Sequence, residues 1–67
     1  MKAFIISILK ENEPLEITFV TGEKMVAIKV ANEMEFDPTA IELITEDHHR
    51  NVLINLRNIV FATPKDF

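Results

Sequence analysis

The sequence predicts a single small domain, mostly β, in which one N-terminal helix precedes five short antiparallel strands. Three observations carry that reading. Isoleucine, valine and threonine make up nineteen of the 67 residues, and branched side chains of this kind suit a pleated sheet. Two alternating apolar runs flank Gly22, the only glycine in the chain. A polar stretch, Lys10-Glu11-Asn12-Glu13, stands directly ahead of Pro14, where a helix is expected to stop.

The helix is expected over about residues 2–11. Phe4-Ile5-Ile6-Ser7-Ile8-Leu9 is apolar at nearly every position, so neither the helical nor the strand period stands out; the polar end before the proline favours a helix. Leu15 to Val20 alternates, with Leu15, Ile17 and Phe19 on one face and Glu16 and Thr18 on the other. Thr21-Gly22-Glu23 supplies a turn, because glycine takes φ > 0 at no steric cost. Lys24 to Ala31 then forms the return strand of a hairpin, with Val26, Ile28 and Val30 sharing a face. Asn32 to Pro38 is the least regular stretch and reads as a bulged or extended connection, its proline marking a strand start or an edge. Ala40 to Thr45 is the third strand and Glu46 to Asn51 a polar loop. Val52 to Leu56 and Asn58 to Thr63 complete the set, ended by Pro64.

Composition narrows the function. A chain this short forms one domain and buries only about 60% of its unfolded surface. Small domains compensate with disulfides, a metal or oligomerisation. There is no cysteine, which excludes disulfides and fits a reducing compartment. His48 and His49 are the only nitrogen ligands for a metal. Oligomerisation is left, and 48% hydrophobic residues supply surface for it. The net charge is −4, from eleven acids and seven scattered bases, so charge alone does not indicate nucleic-acid binding. No segment approaches the ~20 apolar residues of a membrane span. The apolar start is too short for a secretory leader and runs into Lys10 to Glu13 without a small-residue cleavage site. A cytoplasmic protein is expected.

One helix, then five short strands with the glycine in the first turn, resembles the Sm-like superfamily. The run Phe4-Ile5-x-x-Ile8 … Glu11-x-x-Pro14-Leu15-x-Ile17-x-Phe19-Val20-Thr21-Gly22-x-Lys24-Met25 is similar to the helix, first strand and turn of the bacterial RNA chaperone family Hfq. Phe36-Asp37 resembles the end of that family's second strand, and Ile59 with Thr63-Pro64 its last strand, most of all in a divergent branch without the Lys-His pair. The likeness spans Phe4 to Pro64, but Lys24 to Asp37 is about four residues longer than its counterpart, which lengthens the second strand or inserts a bulge.

The resemblance implies an Sm-like, SH3-type bent barrel over residues 1–67, assembled into a homo-oligomeric ring of five to seven subunits by pairing the fourth strand of one copy with the fifth of the next. An independent argument agrees. Edge strands are normally blunted by lysine, proline or a bulge; Val52 to Leu56 has none in its sequence, and Asn58 to Thr63 none before Pro64. Val52, Leu53, Ile54, Ile59, Val60 and Phe61 are the expected interface. A monomeric SH3-like module is the bland alternative.

The family's RNA chemistry carries over less well. Its pore aromatic falls near Thr39, and its Lys-His pair reads Leu56-Arg57. Its far-face tyrosine reads Thr18, while Lys24 after the turn matches. Its rim arginines and asparagine read Ile6, Leu9 and Lys10, with Phe36 the retained rim aromatic. The eukaryotic and archaeal Sm pattern keeps only Arg57 of its Arg-Gly pair, and its base-binding asparagine aligns near Ile41. The resemblance therefore implies binding of short single-stranded U- or A-rich RNA through Arg57 and Asn55 at the pore, Lys24 on the far face, and Lys10 with Phe36 at the rim. The competing reading is a ring-shaped protein adaptor whose helix docks a partner through Ile6 and Leu9.

Other constellations are bland. His48-His49 beside Glu46 and Asp47 reads as a solvated loop, since adjacent loop side chains diverge. Glu11, Glu13 and Glu16 lack a nucleophile or a cleft. Met1, Met25 and Met34 suit core filling or a loose start. No Gly-rich phosphate loop, no Ser/His/Asp set and no Cys/His set is present, so neither an enzyme nor a cofactor is expected.

Overall fold

A computed structural model of the chain describes residues 1–65. In chain order the elements are α1 (Lys2–Lys10), β1 (Leu15–Phe19), β2 (Lys24–Asn32), β3 (Ala40–Thr45), β4 (Asn51–Asn55), a 3₁₀ turn over Leu56–Asn58, and β5 (Ile59–Pro64). The chain is mostly β behind one N-terminal helix, and its antiparallel arrangement is consistent with an Sm-like fold. The strands form a single sheet in the order β4-β3-β2-β1-β5. The expected barrel is thus an open one, with β4 and β5 at its two edges.

The helix forms because Ile5 and Leu9 lie on one face, where both are buried, with Ile6 and Ile8 packed beside them. Its end is set locally. Glu11 and Asn12 donate their amides to the carbonyls of Ile8 and Leu9, and Asn12 takes a left-handed φ of 62°. Asparagine tolerates that conformation at a helix C-terminus. Pro14 follows, and its carbonyl accepts the amide of Lys65 at 2.9 Å, which ties the entry to β1 to the exit from β5.

The hairpin forms as expected, with Leu15 to Thr18 facing Ala27 to Lys24. Gly22 sits at φ 93°, and a Cβ added there would meet nothing within 4 Å. The requirement for glycine is therefore conformational. The first strand ends one residue early, at Phe19, because Val20 enters the turn and donates its amide to the Asn58 carbonyl at 2.7 Å.

β2 departs from the simple alternation. Its first half pairs with β1 and its second half with β3. Register shifts fall between Ala27 and Lys29 and between Val30 and Asn32. Each bulge moves the facing phase by one residue. Val26, Ile28 and Val30 therefore do not share the core face: Ala27 is fully buried, and Met25 and Val30 pack against the core. The extra length anticipated in this region appears as these two bulges and the turn that follows.

Beyond β2, Pro38 lies in the turn before β3. β3 alternates strictly, burying Ile41, Leu43 and Thr45. Thr45 organises the loop after it, its hydroxyl donating to the Asp47 carbonyl at 2.7 Å and accepting the Arg50 amide at 3.2 Å. Asn51 belongs to β4 and not to the loop. Leu56 and Asn58, expected in the last two strands, instead form the 3₁₀ turn with Arg57. Asn55 explains the difference: its Oδ1 accepts the Arg57 amide at 3.0 Å, a side-chain bond that competes with strand pairing.

The core is Ile5, Leu9, Leu15, Ile17, Ala27, Ile41, Leu43 and Ile54. Ile41→Ala is expected to cost about 2–5 kcal/mol through the cavity it leaves. Gly22→Ala, which creates strain without a clash, is expected to cost about 1–2 kcal/mol. Urea denaturation checks both, as falls in midpoint at an unchanged m-value.

Candidate nucleic-acid and subunit interface

Of the two candidates named together, Arg57 lies on the 3₁₀ turn and Asn55, the last residue of β4, caps it. Arg57 is exposed and takes no part in an ion pair among the described residues. Asn55 is less free than its sequence position implies, because its Oδ1 caps the turn. Its amide nitrogen and the second lone pair of Oδ1 are left for a ligand. The Leu56 amide donates to the Thr39 carbonyl at 2.8 Å, so the turn bearing Arg57 is stitched to the turn before β3. This places Thr39 beside Leu56 and Arg57.

A third partner joins from the helix. Lys2 donates its Nζ to the carbonyls of Met34 at 2.8 Å and Asp37 at 2.9 Å. The Asp37 carboxylate in turn accepts the Thr39 hydroxyl at 2.6 Å and the Thr39 amide at 2.9 Å. These bonds to Thr39, the hydroxyl first, hold the Asp37 carboxyl below the usual aspartate range, with Lys2 adding a smaller pull. Lys2 drew no attention in the sequence. Nothing local distinguishes it from any first-turn lysine; its role depends on a connection more than thirty residues away.

The other candidates are dispersed. Lys24 begins β2, opposite Thr18, in a groove of about 540 Å³ that Glu23, Glu46, Asp47 and Arg50 also line. Three carboxylates there offset two cations, which weakens it as a phosphate contact. Lys10 lines a separate groove with Lys29 and Glu33. Lys29 is a second residue missed in the sequence, where it looked like an ordinary outward strand position. Phe36 stands on the connection after β2 and is fully exposed, at 101% of its reference area.

The six expected interface residues divide by strand alternation. Leu53, Val60 and Phe61 are exposed at 63%, 55% and 50%. Val52, Ile54 and Ile59 instead belong to the chain's own core or pack against it. β5 also carries an edge device that its sequence did not reveal. Thr18 pairs with Phe61 and Phe19 with Ile59, so Val60 is a bulge. β4 has no such device, pairing with β3 in unbroken register from Ala40↔Asn55 to Ile44↔Asn51. The helix surface is corrected as well: Leu9 is buried and Ile6 packs against the core, so neither stands out from the helix as an exposed docking face, and both instead line the wall of a groove with Lys10 and Lys29. Phe4, 42% exposed, is the apolar residue the helix does present, with Met1 before it.

His48 and His49 adopt left-handed φ values of 61° and 48°, and His48 Nε2 lies 3.1 Å from Asp47 Oδ1 at the surface. Among the described residues no group of three or more His, Cys, Asp or Glu gathers as metal ligands, and no helix is long and apolar enough to cross a membrane. No family model matches the chain, and no curated protein matches it.

Because folding depresses the Asp37 pKa, its contribution is present above the unfolded aspartate value of about 4 and is lost as pH falls through the lower folded value. Asp37→Asn is therefore expected to melt at a lower temperature than the native chain at pH 7, with the difference shrinking below about pH 4. Thermal melts across that range check it; a gap that persists at low pH would contradict the assignment.

Proposed function

We propose that this chain is the subunit of a closed Sm-like ring, and that the ring binds short single-stranded RNA at Arg57. The observation that carries the ring is the strand order, which leaves β4 and β5 as the two edges. Each edge carries unpaired backbone donors and acceptors, and each adds exposed apolar side chains, Leu53 on one and Val60 with Phe61 on the other. A heterologous contact between different edges closes if the rotation per subunit divides a full turn. Closure removes both edges at once, which no single pairing achieves. The resemblance sets the size at about five to seven subunits, within the closed rings that such contacts generate.

RNA binding follows from where closure would bring Arg57. It stands between the two edges, directly after β4 and before β5, so a ring repeats it once per subunit. A guanidinium offers planar donors to phosphate and a face for stacking on a base. With Thr39 in place of an aromatic, the site lacks the stacking worth about 1–3 kcal/mol per base. Binding is accordingly electrostatic and salt-sensitive, with U- and A-rich strands as the substrate class. A cytoplasmic location belongs to this reading.

The second reading is a ring that binds protein and not RNA. It is favoured by the acidic balance of the chain and by Phe36 standing between Glu35 and Asp37, next to Glu33, where phosphate is repelled.

Light scattering is expected to give a mass several times that of one chain, and Leu53→Lys, which adds a charge to the β4 edge, to reduce it to a single chain. A native mass of one chain at micromolar concentration overturns the ring. Titration of labelled U- and A-rich oligonucleotides at low salt is expected to show at least about a tenfold loss for Arg57→Ala, equivalent to ~1.4 kcal/mol. Equal affinity overturns the Arg57 site, and no binding at low salt favours the protein-binding ring.

A further inference from the structure

The segment after β2 is built to hold one side chain in water. Asn32 Oδ1 accepts the Met34 amide at 2.8 Å. The Asp37 amide donates to the Met34 carbonyl at 2.9 Å, closing a turn with Glu35 and Phe36 at its corners. Met34 takes a left-handed φ of 56°, and Lys2 clamps the carbonyls of Met34 and Asp37 from the helix. Phe36 is wholly exposed on this clamped turn. An exposed phenyl ring forgoes the ~25 cal/mol per Å² that burial would return. A turn fixed in advance loses little further entropy when it docks.

Beside the turn lies an open groove of mixed polar and apolar lining, with Asn12 among its residues. Ile6, Leu9 and Val30 supply its apolar lining, Lys10 and Lys29 its cations, and Glu33 the side next to the turn; its volume is about 260 Å³. Neither lysine takes part in an ion pair among the described residues. Phe36 does not fill this groove in its own chain, since it is fully solvent-exposed.

We propose that the groove receives Phe36 of a second copy of this chain, with Glu35 of that copy meeting Lys10 and Lys29. Glu33 lines the groove and lies in the turn segment, so the two features adjoin on one side of the domain. A two-fold axis then lets each copy insert its turn into the other, a self-complementary contact. One aromatic ring and one turn per copy make a small interface of the weak, concentration-dependent class. The contact is separate from the β4 and β5 edges and stands whether or not they close a ring.

The absence of cysteine makes a direct test simple. Glu35→Cys and Lys29→Cys are prepared as single variants, mixed in equal amounts at high concentration and oxidised mildly. The mixed disulfide is expected severalfold above the statistical share of the three possible dimers. Adding Phe36→Ser, at a position that is exposed and so dispensable for folding, to the Glu35→Cys chain is expected to remove the excess. Repeating the mixture in a Leu53→Lys background, where ring pairing is disrupted, is expected to retain it. A statistical distribution in both backgrounds, or an excess that survives Phe36→Ser, overturns the proposal.

Discussion

The bend of β2 around Ala27 is the constraint on which the rest of the domain depends. At that residue β2 pairs with Leu15 on one side and Thr45 on the other. Before it the strand belongs with β1, after it with β3. A side chain at such a crossover is enclosed from several directions, and Ala27 is completely buried. The two bulges that follow let the strand keep its apolar positions inward while it turns, because each extra residue resets the alternation. Without them Lys29 would fall in the phase now held by Val30. The bend also gives α1 a concave sheet to cover, so Ile5 and Leu9 reach the same core as Ile41 and Ile54.

A sheet of five short strands bent in this way does not meet itself, and the consequences fall on its two outer strands. β4 keeps unbroken register with β3 while turning Leu53 outward, and β5 is bulged at Val60 with Phe61 outward. A bulge twists an edge away from indiscriminate pairing, so the two edges are not equivalent. The 3₁₀ turn between them, capped by Asn55 and bonded to Thr39, sets the angle at which β5 leaves β4.

Much of this was legible in the sequence, for physical reasons that can be named. The hairpin around Gly22 and the alternation of β3 are local patterns, and they emerged within a residue of expectation. The helix was readable from its polar end before Pro14 although its interior has no clear period. What failed to read was non-local. The phase of β2 depends on bulges that follow from pairing with β3, and single-strand alternation misplaced Val26 and Ile28. The exposure of Leu53, Val60 and Phe61, against the burial of Val52, Ile54 and Ile59, needs to be known from which face meets the helix. Lys2 and Lys29 acquire their meaning only from elements distant in the chain. Asn55, a candidate ligand residue by its position, makes a capping bond to the Arg57 amide, a short-range preference of asparagine.

The same bonds explain why the candidate chemistry is thin around Arg57. Asn55 Oδ1 caps the turn, and Asp37 and Thr39 bond each other, so three polar side chains near Arg57 take part in shaping backbone. Arg57 is left as the cation there, in a chain with four more acids than bases. One guanidinium is a weak anion site, although the acidic residues of the 46–47 loop and the 33–37 turn lie on other segments. Fields from charges separated by more than about 10 Å are largely screened at 0.1 M salt. Local charge, more than net charge, then governs what approaches Arg57. Under the proposed ring, repetition of this arginine is what gives the position its strength as an anion site, so assembly precedes ligand binding there.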